Sequence, residues 1–537
     1  MRNGRAKTMA VIVAAALVAA ACGGGGSGEA EDAGETTTTS SAPTSTTAGE
    51  PEGEPEPAAP EEDPDRDGDG VLNDDDEFPD DATRTVGLTA VFPVVDGVFQ
   101  LPEDQPSVQA YRALEALVRA PELDVDAAHA LFDRAVFPDA GQIAAGFATV
   151  VPQLPETWDV IDVRAVTPWW MWVMIGDPGS AGGPVALVRI GLDPNSGLIN
   201  EFSMNPFARG LNGVIYAADR QLDTAGVMAA IDGRTSLVAA LVARVEHDGC
   251  DVIAGVNEAL VLNTASVYKL WVLGAAAELV TEGSLSPDET ISFAPGEFMS
   301  GGARTTGQFT SPIDLTAQAT ADLMMGQSDN GATDLLERRV GREAMWDYVD
   351  RSGHTQPELL NPIIGIRDYD HLFGSVPQSQ VDAFVSGTED EQRQILLEVI
   401  EPLGAVRAGG FGNPNVLDYT WKASPVDICE AMATMRSANP NGSPGAAFID
   451  QAFGAESAIF GIREHWDRVW YKGGGIPSFQ PNSNVIFTHA SLVESDEHGA
   501  YAVITMFNDP VGFSMENLPF EAQSWMARLH QILVEQR

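Results

Sequence analysis

Lysine is scarce in this chain: of 30 basic residues only Lys7, Lys269, Lys422 and Lys472 are lysine, and the remainder are arginine. Arginine keeps its proton inside a protein whereas a desolvated lysine can lose it, so each lysine is a candidate for proton chemistry. Positive charge as a whole is short, with 78 acidic residues, a net charge of −48 and a pI near 4.2. Such a surface repels polyphosphate, which excludes nucleic acid as a partner. The eight histidines are scattered, G-x-S-x-G and H-E-x-x-H are absent, and no dinucleotide glycine fingerprint stands between a strand and a helix. Nucleophile-elbow serine, metalloprotease and dinucleotide chemistries therefore have little support. Beyond the N-terminus no apolar run is long enough to span a bilayer.

What is present begins with "MRNGRAKTMAVIVAAALVAAAC", in which Arg2, Arg5 and Lys7 precede an apolar run and small residues up to Cys22. This is the layout of an export signal over residues 1–22. Ala19-Ala20-Ala21-Cys22 resembles a bacterial lipobox, with Ala where Leu is usual three residues before the Cys. The resemblance implies a lipid on Cys22 and attachment to the extracytoplasmic face of the cell membrane; free secretion after an ordinary cleavage is the alternative. Two cysteines remain, Cys250 and Cys429, and the sequence leaves open whether they are bonded or are two buried thiols.

At 537 residues with 44% hydrophobic content, the chain is too long for one ordinary domain and rich enough for a sizeable core. Residues 23–62 are Gly, Thr, Pro and Glu with few large apolar side chains, and are expected to be a disordered stalk. Residues 63–82, "DPDRDGDGVLNDDDEFPDD" in the main, set Asp65, Asp67, Asp69, Asp74 and Asp76 around Gly70. Alternating carboxylates before a glycine turn suit a hard cation. The run looks like a thrombospondin type 3 calcium repeat, which makes Ca2+ the cation expected there; an acidic continuation of the stalk is the plainer alternative.

Residues 90–210 read as helices followed by strands, an α+β unit whose order resembles the cone-shaped NTF2-like domains. Trp169, Trp170 and Trp172 are assigned to its sheet core rather than to a ligand pocket, because no acid or histidine lies among them. Residues 215–537 form the larger domain. "DVIAGVN" and "EALVLN" read as a strand pair leading to Ser266, "SVYKLWVLGAAAELVTEG" as a buried helix closed by Gly283, and the end as three strands and a helix. Two strands, a helical middle, three strands and a helix can close one antiparallel sheet.

Ser266 opens that helix with Lys269 three residues on, one turn away and on the same face. Free backbone N–H groups at a helix start favour the negative charge that develops when a hydroxyl attacks a carbonyl. Burial and a second cation would lower the lysine pKa until it serves as base. Lys472, in "RVWYKGGG", is that second cation on a late strand, and the glycines after it let a substrate approach the backbone. Ser328 and Asn330, in "GQSDNGATDLL", start another helix; Ser328 can pass a proton and Asn330 can bond a substrate amide. Lys422 reads as a solvated residue ahead of a helix cap.

Ser266-x-x-Lys269, Ser328-Asp329-Asn330 and Lys472-Gly473-Gly474 match, in order, the S-x-x-K, S-D-N and K-T-G motifs of penicillin-recognising serine hydrolases. Residues 215–537 resemble a class A β-lactamase or DD-peptidase-like domain. The resemblance implies an acyl-enzyme on Ser266, Lys269 as its base, Ser328 as proton relay, and an oxyanion hole from the N–H groups of Ser266 and Gly475. It implies no cofactor for catalysis and a small-molecule or peptidoglycan-derived acyl substrate. Two departures stand out. Gly473 replaces the Thr or Ser whose hydroxyl helps hold a β-lactam carboxylate. In "PELLN" the carboxylate of Glu358 falls one residue late for the family's deacylating Glu in E-x-x-L-N. Extra helical sequence, "SQVDAFVSGTEDEQRQILLEVIEPL", and the N-terminal unit make the chain similar to two-domain actinobacterial β-lactamase-like proteins of clavulanic-acid gene clusters. That subgroup implies ester hydrolysis in preference to efficient β-lactam turnover. A non-catalytic wall-binding module is the remaining alternative.

Overall fold

The computed structural model describes residues 94–535 apart from internal segments, the longest being 294–312, 404–420, 455–465, 477–484 and 510–517. Cys22, the stalk and the acidic run from Asp65 to Asp76 lie outside the described residues.

The N-terminal part contains helices α1 (Pro106–Val118), α2 (Val125–Ala130) and α3 (Ala140–Val150), then strands β1 (Asp159–Val166), β2 (Trp170–Gly176), β3 (Val185–Leu192) and β4 (Ile199–Phe207). Pro106 begins α1 where a missing N–H costs nothing, while Asp124 and Asp139 cap α2 and α3 by accepting from Ala127 and Gly141 N–H. The four strands form an antiparallel sheet in sequence order. Alternation along β2 and β3 sends Met171, Val173, Ile175, Val188 and Ile190 into a core with Val108, Tyr111, Leu114 and Phe147 of the helices.

Here the tryptophan expectation is corrected. Because successive strand residues face opposite ways, Trp170 and Trp172 lie on the face away from that core, with the Arg189 guanidinium 4.9 and 5.1 Å from their rings. Trp169 packs instead against the main core of the C-terminal part, and Met174 and Leu187 join an apolar cluster with Val227, Met228 and Trp525. The outer face of the sheet is thus an internal contact between the two parts of the chain.

The C-terminal part is built on a five-stranded antiparallel sheet. Its strands are β5 (Val238–Glu246), β6 (Gly249–Val256), β9 (Arg468–Ile476), β10 (Val485–Ser495) and β11 (Gly499–Asp509), in the order β6-β5-β11-β10-β9. The expected pairing of residues 251–257 with 258–263 does not occur. The partner of β6 is β5, whose run "VAALVARV" is apolar almost throughout and so lacks a distinguishing period; the short β7 (Leu262–Asn263) pairs with β8 (Lys422–Ala423). Lys422 is accordingly part of a ladder beside the Ser266 turn, and its carbonyl bonds His354.

Helix α4 (Thr224–Asp232) precedes the sheet, and α5 (Lys269–Thr281) packs against it with every residue from Lys269 to Ala277 buried. A helix apolar on all sides belongs at the centre of a domain. The helical middle comprises α6 (Ala317–Gly326), α7 (Asn330–Val340), α8 (Arg342–Arg351), α9 (Ile366–Gly374), α10 (Gln378–Ser386), α11 (Glu389–Ile395), α12 (Pro425–Ala438) and α13 (Pro444–Gly454); α14 (Leu518–Glu535) ends the chain. The surplus sequence forms α10 and α11. Ser424 and Asp427 make a reciprocal capping box on α12. Cys250 and Cys429 are disulfide-bonded, joining β6 to α12 across 179 residues of sequence.

Candidate active site

Ser266 lies in a 3-10 turn, Ala265–Tyr268, which runs directly into α5. The turn is held on one side by Thr264, whose N–H bonds Trp421 O at 3.0 Å, and on the other by β9. A Cβ on Gly474 would stand 2.4 Å from Thr264 O and 3.0 Å from the Ser266 nitrogen, so only glycine permits this approach. Ala265 has φ 47° and Ser328 φ 55°, in the left-handed region that side chains rarely adopt. Strained backbone of this kind persists where surrounding structure over-determines it, commonly at reactive centres.

Lys269 is fully buried. Its Nζ donates to Ser328 O at 2.6 Å, Ser328 Oγ at 3.3 Å and Asn330 Oδ1 at 2.9 Å, but not to the Ser266 hydroxyl one turn away. Lys472, on β9, is also buried and donates to Ser328 Oγ at 3.0 Å and Gly473 O at 2.7 Å. The Ser328 hydroxyl therefore sits between two lysines contributed by elements far apart in sequence. Ser266, Lys269, Ser328, Asn330 and Lys472 come together, with Gly473, Gly474 and Gly475 extending β9 along the same edge.

Burial pushes the Lys269 ammonium down from its ordinary range to about 7, and the nearby Lys472 cation pushes the same way. Asp329, Asp334 and Glu337 oppose the shift. Burial in turn raises Asp334 to about 8, against the pull of a hydrogen bond from Arg367 N–H, and drives Glu337 well above the carboxylate range. Carboxyls that keep their protons near neutrality exert little attraction on Lys269, so the depressed lysine is the internally consistent outcome.

Sequence reasoning passed over these two acids. Asn330, Asp334 and Glu337 lie at helical spacing along one face of α7. Tyr268 donates to Glu337 Oε1 at 3.2 Å, and its ring stacks on Trp421 at 4.2 Å. The 4-then-3 spacing in "NGATDLLE" was the available signal. Glu358 stands in an exposed 3-10 turn, Pro357–Leu359, and Asn361 donates instead to Trp346 O and Asp350. Among the described residues Glu358 shares no hydrogen bond with Lys269, Ser328 or Asn330. No cluster of three or more His, Cys, Asp or Glu suited to a metal occurs among them either.

Residues 227–389 match the sequence model of the beta-lactamase enzyme family. Taken with the sheet and helix order, the larger domain is β-lactamase-like, of mixed helix and antiparallel sheet, and the match supports a β-lactamase-like serine hydrolase. Solved structures similar to the chain include a beta-lactamase from Chitinophaga pinensis, at 16% identity over 58% of this chain and 96% of that one, with a TM-score of 0.36. Another is a beta-lactamase from Sphaerobacter thermophilus, at 14% identity over 59% and 97% of the two chains, with a TM-score of 0.37. No curated protein matches the chain.

Proposed function

We infer that this protein is a cell-envelope serine hydrolase that forms an acyl-enzyme on Ser266 and hydrolyses a β-lactam or a related ester or amide. The observation that carries the reading is the Ser328 hydroxyl held between Lys472 at 3.0 Å and Lys269 at 3.3 Å, with Lys269 brought to about 7 one turn from Ser266. At neutral pH a large fraction of Lys269 is the free amine. It takes the Ser266 proton as Oγ attacks the acyl carbon, while the N–H groups of Ser266 and Gly475 receive the oxyanion. The leaving nitrogen or oxygen collects a proton through Ser328, and Lys472 steadies the charge on that relay. Water then cleaves the ester to Ser266. Asn330 gives its Oδ1 to Lys269, which leaves its Nδ2 donor for a substrate carbonyl. Attachment through Cys22 would place this chemistry outside the cytoplasm, and calcium in the Asp65 to Asp76 run would stiffen the stalk.

A second reading, an esterase or DD-peptidase-like acyl transferase with slow β-lactam turnover, is favoured by the exposed position of Glu358 and by Gly473 in place of a hydroxyl residue. Intact mass of the full chain against time, after mixing with a β-lactam and separately with an activated ester, tests both. An adduct that appears and decays with product supports the hydrolase. One that persists supports the second reading, and no adduct with either probe refutes Ser266 as nucleophile.

A further inference from the structure

The outer face of the N-terminal sheet reaches the active site at one point. In register, Trp170 of β2, Gly191 of β3 and Glu201 of β4 form a row across the sheet, with Trp172 and Arg189 in the next row. Gly191 has no side chain, and the space a Cβ would fill is bounded by Glu201 Cβ at 3.0 Å, Glu201 Oε2 at 3.3 Å and Gln327 Nε2 at 3.3 Å. Glu201 is fixed by an ion pair with Arg189 at 3.1 Å, and Arg189 in turn lies over Trp170 and Trp172. The row is therefore a stiff, largely buried surface, with Trp170 1% exposed and Gln327 5% exposed.

Gln327 immediately precedes Ser328. It terminates α6, its N–H and that of Asp329 both bond Leu323 O at 3.1 Å, and Ser328 between them takes the left-handed conformation. The Gln327 Nε2 is buried without a hydrogen-bond partner among the described residues, so packing against the Gly191 and Glu201 row, not a bond of its own, locates its side chain. Gln327 begins the turn whose next residue offers both its carbonyl and its hydroxyl to Lys269.

The geometry points to the N-terminal sheet as a positioning element of the active site: Gly191 and Glu201 act through Gln327 to set the turn that presents Ser328 to Lys269 and Lys472. This rests on the serine hydrolase reading for its catalytic consequence, but not for the mechanical coupling itself. A Cβ at position 191 would press on Glu201 Cβ at 3.0 Å and on the Gln327 amide at 3.3 Å, and a branched side chain would press further toward that turn.

The test is Gly191→Val in the full chain, with Gln327→Ala and the double variant. Amide hydrogen exchange of residues 323–333 reads the turn directly, with α5 and α12 as internal references. Gly191→Val should speed exchange at 327–330 selectively, and acylation by an activated ester should slow roughly ten- to a hundredfold, mainly in kcat. Truncating Gln327 makes room, so the double variant should recover most of the rate lost by Gly191→Val. Should Gly191→Val fail to fold, Gly191→Ala introduces only the Cβ and serves the same comparison. Unchanged exchange at 327–330 in a folded variant, or a loss that Gln327→Ala does not relieve, overturns the proposal. If wild-type protein is never acylated the serine reading fails, while exchange still decides the coupling.

Discussion

Replacing Lys472 by Met should raise the pKa of Lys269 and move the pH dependence of acylation with it. Both lysine nitrogens bond the same Ser328 oxygen, at 3.0 and 3.3 Å, so they stand no more than about 6.3 Å apart. At an effective dielectric of about 20 two like charges at that separation repel by about 2.6 kcal/mol, or about 2 pKa units. In the wild type, with Lys269 at about 7, acylation should rise with pH through an inflection near neutrality, because the base is the deprotonated amine. In Lys472→Met the inflection should move up by about 2 units, while staying below the ordinary lysine value because burial remains as the larger cause of depression. At pH 7 the free-amine fraction then falls from about one half to about one hundredth, a loss of roughly fiftyfold that is recovered near pH 9.5. Any residual deficit at high pH measures the lost bond to Ser328. The assay is the second-order rate of covalent labelling by an activated acyl probe across pH 5–10. An inflection that stays in place, or moves down, would refute Lys269 as a base kept deprotonated by Lys472.

Ser266→Ala should abolish covalent labelling while leaving thermal stability close to wild type, and Lys269→Arg should be nearly as damaging, since arginine cannot accept the proton; labelling rates and melting temperatures check both. Gly474→Ala should slow acylation by about a hundredfold or more because its Cβ would meet Thr264 O at 2.4 Å, whereas Gly473→Thr meets only the Tyr471 hydroxyl at 3.1 Å and should improve binding of a carboxylate-bearing β-lactam. The gain expected from restoring that hydroxyl is about 1–3 kcal/mol, read as a change in KM. Reducing the Cys250–Cys429 bond, which closes a loop of 179 residues, should cost about 2–5 kcal/mol in denaturant unfolding, with the upper figure set by loop entropy.

The candidate site residues are legible in the sequence because scarce lysines and fixed spacings mark them. Ser266 and Lys269 need only one helical turn to be neighbours, and Lys472 and Ser328 were recognisable by motif. Their actual contact was not legible, since it depends on β9 lying beside the Ser266 turn, a sheet order that no local pattern encodes. The same limit explains β5: a strand buried on both faces has no alternation to read. Periodicity predicts helices followed by strands over residues 90–210, but which face of β2 meets its own helices is a tertiary fact. Trp170 is buried, yet on the face turned away from its own helices, beside Trp172 and Arg189.

The depressed Lys269 also carries a stability cost whose pH dependence tests the electrostatics without any substrate. Its folded value of about 7 lies below the ordinary value of 10.5, so between these pH values the unfolded chain holds a proton that the folded chain has lost. Stability contributed through this group therefore rises with pH from about 7 to about 10.5, and the full cost of burying the cation applies below 7. Lys269→Met, similar in length and free of charge, should consequently stabilise the fold most near pH 6, by up to a few kcal/mol, and least near pH 10.5. The three hydrogen bonds to Ser328 and Asn330 are lost at every pH, so they lower the whole difference curve without changing its slope. Asp334, held near 8 from an ordinary 3.8, works in the opposite direction between those values, and it persists in both proteins and largely cancels in the comparison. Denaturant unfolding of wild type and Lys269→Met at pH 6, 8 and 10 gives the difference directly. A difference that is flat across this range would mean that Lys269 keeps an ordinary pKa in the fold, and the base assigned to Ser266 would have to be sought elsewhere.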